Sequence, residues 1–365
     1  MALRSQHEDA PLERHATASS FLHPLVLAVL ASIAVLGALV LAIALFGHPP
    51  APPLARVSLA LTPAAVAPVP PPPTAPAAVA AVGAASLPPE PTHPVYAGKA
   101  LVADPALIEN TPEGPLPRIA ADGRTPLSAY APAYGAKRGI KIAIVITGLG
   151  LDGHATLAAI DELPPAVTLA FVPYGARTGH WLRLARRKGH EVLLEVPMEP
   201  RNFPDSDAGP HSLRPSLSAD DNLARLKWSL TRVTGYVGVT NLMGGRFLAE
   251  PLAVEPVLSF LASRGLMFFD SSKAGLAQVV ARQLKAPYVR SDLRLDAVAA
   301  PAAIDQRLTE LESLARHAGE AVGTGSVHPV TLTHIAAWAR GLRGRGFVLV
   351  PASSIVDGES LNRRP

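Results

Sequence analysis

Residues 142–150 read IAIVITGLG, five apolar residues followed by Thr147, Gly148, Leu149 and Gly150. A short apolar run stopped by glycine reads as a strand over 141–147, and Asp152 just beyond it is a side chain suited to cap a helix running to about Glu162. The same alternation continues along the chain. Strands are expected at 167–172, 191–196, 236–240, 266–269, 288–290, 321–323 and 347–350. Between them, Thr178 is expected to cap a helix ending before Gly189. Ser218 with Asp221 caps another, whose apolar face is Leu223, Leu226, Leu230 and Val233. Glu250-Pro251 opens a helix that ends before Gly265, and Ile304, Leu308, Leu311 and Leu314 mark the buried face of one over 301–317. Strands alternating with helices of this length define an α/β fold built on a parallel sheet or barrel.

In such folds ligands gather where strands end and loops lead into helices. The residues to weigh are therefore Thr147-Gly148, Pro173-Tyr174, Pro197-Met198-Glu199, Asn241-Leu242-Met243, Asp270-Ser271-Ser272 and the segment 325–329.

Outward from this region, composition divides the chain unevenly. Between Gly47 and Arg138 lie 21 of the 38 prolines, densest at 70–73, with no sustained period of 3.6 or 2. Such sequence buries too little apolar surface to offset its ordering entropy, so residues 48–138 are expected to be a disordered, extended Pro/Ala-rich spacer. Ahead of it, residues 24–46 (PLVLAVLASIAVLGALVLAIALF) carry no charge, and ~20 apolar residues suffice for a transmembrane helix. A cleaved signal peptide is the competing reading, but its apolar region usually runs only ~7–15 residues, which favours a retained anchor over 23–47. Arg4 and Arg14 precede this run and only Arg56 follows it before Lys99. That bias holds a cytoplasmic tail of residues 1–22 inside and sends the remainder across a bacterial inner membrane to the periplasm. A folded domain over 139–357 and a flexible tail over 358–365 complete the expected layout.

Composition also excludes several functions. The formal charge is +4, from 33 Lys+Arg against 29 Asp+Glu, and no basic run is interleaved with aromatics, so nucleic acid is not an expected partner. The absence of cysteine removes disulfides, thiolate-bound zinc, iron–sulfur clusters and a thiol nucleophile. No Ser-His-Asp arrangement, P-loop or GxGxxG occurs, and His328 and His334 do not share the i, i+4 spacing of helical metal pairs. Trp181, Trp228 and Trp338 fall in expected helices, where core packing is the ordinary role.

Seven segments in order carry a resemblance: IAIVI at 142–146, LPPAVTLAFVPY at 163–174, GHEVLLEVPMEP at 189–200, GPHSL at 209–213, TGYVGVTNLMGGRF at 234–247, GLMFFDS at 265–271 and FVLVPASSIV at 347–356. Each is weak alone, but the ordered series resembles the divergent polysaccharide deacetylases, a branch of the NodB-like carbohydrate esterases. The resemblance implies a distorted (β/α) barrel and metal-assisted hydrolysis of an N-acetyl group, with carboxylate and imidazole holding the ion. It further implies three ligand sites: an aspartate pair after the first strand, a histidine after the asparagine of the Asn-Met-Gly segment, and a histidine in a late Gly-His-Pro segment. Here Thr147-Gly148, Leu242 and Ser326 stand at those positions. Leucine and glycine offer no donor, and neutral hydroxyls bind divalent ions poorly without carboxylates beside them.

No metal is therefore expected, and the domain reads as a non-catalytic relative that binds a glycan, an envelope polysaccharide or a protein partner. Glu199, His211, Asn241, Arg246 and Asp296 are candidates to line its groove. Each has a plainer reading, Arg246 as half of a surface ion pair and Asp296 as a solvated loop residue. The enzyme alternative is an active N-deacetylase using zinc or a similar divalent ion in a rebuilt site, with Asp270 and His328 as its catalytic groups. Asp270 is equally suited to capping the turn formed with Ser271 and Ser272. For His328 the plainer reading, a loop histidine at a helix start, is the favoured one. A purely structural interaction domain is the third reading.

Overall fold

The structure is a computed structural model that describes residues 103–132, 139–272 and 275–356, together with Ser32 and Ala34. The chain divides into two units, 1–86 and 87–365. Among the described residues no helix is long and apolar enough to cross a membrane. The run expected to be an anchor lies outside them, apart from Ser32 and Ala34, which are helical.

The fold begins with β1 (Ile108–Thr111) and β2 (Gly114–Pro117), an antiparallel hairpin, followed by α1 (Pro126–Tyr130). Then come β3 (Ile140–Leu149), α2 (Gly153–Glu162), β4 (Thr168–Phe171), α3 (Thr178–Arg187), β5 (Val192–Met198), α4 (Ala219–Leu230), β6 (Gly238–Met243), α5 (Pro251–Ser263), β7 (Met267–Asp270), α6 (Leu276–Leu284), β8 (Tyr288–Arg290), β9 (Leu293–Arg294), α7 (Pro301–Ala318), β10 (Glu320–Ser326), α8 (Pro329–Arg340) and β11 (Phe347–Val350).

The main sheet is parallel, in the order β8-β7-β6-β5-β4-β3-β10-β9. At ten residues β3 is long enough to serve three neighbours. Its first half pairs with β11, its second half with β4, and its other edge with β10. The two edge strands, β8 and β9, are separated in sequence only by Ser291 and Asp292. The Ser291 amide donates to Asp270 O of β7 and the Asp292 amide to Val322 O of β10, each at 2.8 Å. Consecutive residues thus serve opposite ends of the sheet, which curls into a barrel-like form.

Alternation along each strand builds two layers. Ile142, Ile144 and Ile146 face outward with Leu169, Phe171, Leu194, Val196, Val239 and Phe268 against the helices. Ala143, Val145, Ala170, Leu193, Met267, Phe269, Val289, Val322 and Val348 fill the interior. Burying each of the larger of these side chains contributes about 1.5–3 kcal/mol before entropy is counted.

The spacer expected over 48–138 stops short of that boundary. Leu107, Ala120, Leu127 and Tyr130 are buried and belong to the interior cluster. The Leu127 amide donates to Gly265 O, just ahead of β7, and the Tyr130 ring carries Arg186 over its face at 4.6 Å. The segment 103–132 therefore packs against the amino-terminal ends of the strands. Its Thr125 capping box and the prolines at the helix start satisfy local rules that its composition concealed.

Other expectations are met or adjusted by small amounts. Asp152 caps α2 through the amides of His154 and Ala155, and Ser218 caps α4 through that of Asp221. Thr178 is the first residue of α3 and not its cap, because its hydroxyl is turned back onto Val172 O and Gly175 O. The strand expected to end at Thr147 runs on to Leu149, since Gly148 adopts φ +87° and bends it without ending it.

Candidate functional site at the carboxyl ends of the strands

Registered residues on neighbouring parallel strands point the same way. Thr147 is level with Ser326, Thr324 with both Val145 and Arg294, Glu195 with Thr240, and Pro197 with Leu242. Val145 and Leu193 fix this as the interior face. The positions that should have supplied a metal site, Thr147 and Leu242 among them, therefore do converge on the mouth of the barrel. Around them lies a polar layer of different character.

One buried member is Glu195, a carboxylate that sequence reasoning did not single out. The side chain is 1 % exposed and accepts the Gly148 amide at 2.5 Å. Burial pushes its carboxyl up to about 8, the Gly148 hydrogen bond and the Arg294 charge opposing that rise only in part. At neutral pH it is mostly protonated. Level with it, the buried Thr240 hydroxyl has no partner among the described residues.

At the rim, Arg294 lies over the end of β10. Its Nη2 donates to Ser326 Oγ at 2.5 Å and its Nε to Asp296 Oδ1 at 2.9 Å. Asp296 is fully buried in its side chain, while that of Arg294 is 42 % exposed. The other oxygen of Asp296 accepts the Ser326 amide at 2.5 Å and the Thr331 hydroxyl at 3.2 Å. Asp296 is thus the fixed base of an Arg–Asp–Ser unit at the start of α8, and not a solvated loop residue. A guanidinium bonded to the residue in a presumptive ligand position repels a divalent cation. Thr147 meanwhile donates its hydroxyl to Gly325 O. This donor set does not fit zinc or a similar ion, and among the described residues no three His, Asp or Glu side chains are grouped to hold one.

The remaining candidates are spread along the same end of the barrel. Asp270 is fully buried and accepts the Tyr288 hydroxyl at 2.6 Å and the Ser272 amide at 2.7 Å. It caps its turn and, by register with Arg290, faces away from the interior. Burial and the adjoining Asp270 charge raise the Tyr288 phenol well above its usual range. His328 is exposed and stands at the N-cap of α8 without a capping side-chain bond. Asn241 joins two strand ends, donating to Met243 O at 2.6 Å and accepting from the Ser271 amide at 2.9 Å. It thereby holds Met243 at φ 62°, a left-handed backbone uncommon outside glycine.

Glu199 is buried and pairs with the exposed Arg246 at 3.1 Å. His211 stacks on Trp228, with ring centres 3.6 Å apart and planes 7° from parallel. Trp228 also meets Tyr174 at 5.5 Å and carries Arg232 at 4.9 Å. It is half-buried in this surface cluster, whereas Trp181 is buried as expected. Burial and the charges of Arg225 and Arg232 lower the His211 pKa.

The comparisons with known proteins agree with this architecture. The sequence profile of the divergent polysaccharide deacetylases matches residues 144–356, more than half of the chain, and the chain belongs to that family. It is 26 % identical over 227 residues to the uncharacterised protein YibQ of Escherichia coli (strain K12), covering 62 % of this chain and 68 % of that one. An uncharacterised protein of Haemophilus influenzae is 25 % identical over 204 residues, with 55 % and 72 % covered. The crystal structure of the uncharacterised protein ATU2773 from Agrobacterium tumefaciens C58 is 40 % identical with a TM-score of 0.65. That match covers 67 % of this chain and all of the other.

Proposed function

We propose that this divergent polysaccharide deacetylase domain binds an envelope glycan without metal-dependent deacetylation, and that residues 23–47 anchor it to the inner membrane with the domain in the periplasm. The observation that carries this reading is the Arg294 guanidinium bonded to Ser326 and Asp296, in a mouth where Thr147, Gly148 and Leu242 take the other presumptive ligand positions. The missing donors, with a guanidinium already bonded to Ser326 and Asp296, act against a bound divalent ion. The family's association with carbohydrate supports a glycan as the ligand, and the strand ends are where α/β folds bind.

The deciding experiment is metal analysis of the purified full-length protein, joined to a deacetylation assay on chito-oligosaccharides and peptidoglycan fragments. Sub-stoichiometric zinc and no acetate release are expected. Stoichiometric zinc with turnover that Asp270→Asn abolishes would establish the rebuilt deacetylase instead. Recovery of glycan on the immobilised protein from an envelope digest tests binding directly, and failure to retain any would leave the interaction-domain reading.

A further inference from the structure

We propose that Arg294 anchors a carboxylate-binding site at the mouth of the barrel, and that the glycan it receives is acidic, with a uronic-acid type carboxylate seated on the guanidinium. The inference rests on the glycan-binding reading above and names the chemistry of the ligand.

The geometry of the guanidinium leads there. A planar arginine fork carries five N–H donors. Nε is committed to Asp296 and one Nη2 proton to Ser326. Both Nη1 protons and the second Nη2 proton have no partner among the described residues. Unpaired Nη protons on a planar fork suit the oxygens of a carboxylate. The side chain is 42 % exposed, so the fork is reachable, while its carboxylate support is fully buried.

Asp296 cannot readily be displaced by an incoming anion. It already accepts from Arg294, the Ser326 amide and Thr331, and its removal would leave three donors at the start of α8 unpaired. It therefore fixes the fork and leaves Nη1 open. Glu195, an interior carboxyl that feels the Arg294 charge, is held mostly neutral by burial and does not compete for the guanidinium at neutral pH.

Charge selects the class of anion. The Arg294–Asp296 pair is neutral overall, and no second cation is bonded to this unit among the described residues. A monoanionic carboxylate meets less repulsion from Asp296 than a phosphate dianion does, and no second positive group is bonded to the unit to offset the difference.

The test is titration calorimetry on the full-length protein with tetragalacturonate, its methyl ester and chitotetraose, and with inorganic phosphate as competitor. Tetragalacturonate is expected to bind at least tenfold more tightly than its neutral ester, and Arg294→Gln to abolish that preference. Arg294→Lys keeps the charge but not the fork, so it is expected to lose most of the preference, and it serves also if the glutamine variant does not fold. Equal binding of acid and ester, or a preference that survives both variants, overturns the carboxylate site. If chitotetraose still binds in that case, the glycan reading stands without it. No binding of any oligosaccharide overturns both, and displacement by phosphate at lower concentration than by galacturonate would reassign the anion.

Discussion

Glu195 ionises against the grain of its surroundings, and this has a measurable sign. Its ordinary value is 4.5 and burial raises it to about 8. Below 4.5 both folded and unfolded chains hold the proton. Between 4.5 and 8 only the folded chain does, so its contribution to stability is lost as pH rises through that window. Glu191, also buried with its carboxyl raised by burial, acts in the same direction. Glu195→Gln should therefore gain urea midpoint relative to the parent between pH 5 and pH 9, and parallel profiles for the two proteins would refute the assignment. Gly148 is the other residue with a sharp expectation. Its φ of +87° disfavours any Cβ, so Gly148→Ala should cost about 1–2 kcal/mol in chemical unfolding, although the nearest atom a methyl would meet, Val327 Cγ1, is at an unobjectionable 3.4 Å. Glu195 was visible in the sequence as a lone carboxylate within VLLEVPM, but nothing local says whether such a residue faces the interior or a helix. Arg294 posed the same difficulty: Asp296 is two residues away, but Ser326 is brought to it only by the pairing of β9 with β10.

At the scale of elements, the strand–helix alternation was plain because apolar runs and caps recur at regular intervals. The expected 288–290 and 347–350 coincide with β8 and β11. The amino-terminal segment was not plain. Its strands have four residues and its helix five, too few for any period to register, and β2 contains two prolines. Elements this short are not stable alone. They are ordered by the apolar floor of the barrel, a tertiary contact that composition cannot report. If that packing matters, Leu127→Ala should cost about 2–5 kcal/mol by urea denaturation, although the residue lies in sequence that resembles spacer. Removal of residues 103–132 should lower stability by more than that single change. A truncation at 139 as stable as the longer protein would show the segment to be only adherent.

For the molecule as a whole, the charge bias about residues 24–46 sets the expected topology. Alkaline phosphatase fused after Pro365 should be active, while a reporter active only in the cytoplasm should stay silent at the same site. The reverse pattern would place the domain on the other side of the membrane. The curled sheet adds a property of its own. Its seam is made of strands of three and two residues, β8 and β9, joined by Ser291 and Asp292, whose amides reach in opposite directions. Every other adjacent pair along the sheet order is held by at least three registered positions, and the β9–β10 junction by two. Breathing of the sheet should begin there, and Arg294 sits on that shortest strand. A ligand clamped between Arg294 and the opposite rim would act as a fastener on the seam. Saturation with an acidic oligosaccharide should then slow amide exchange across 291–294, with little change at the centre of β5.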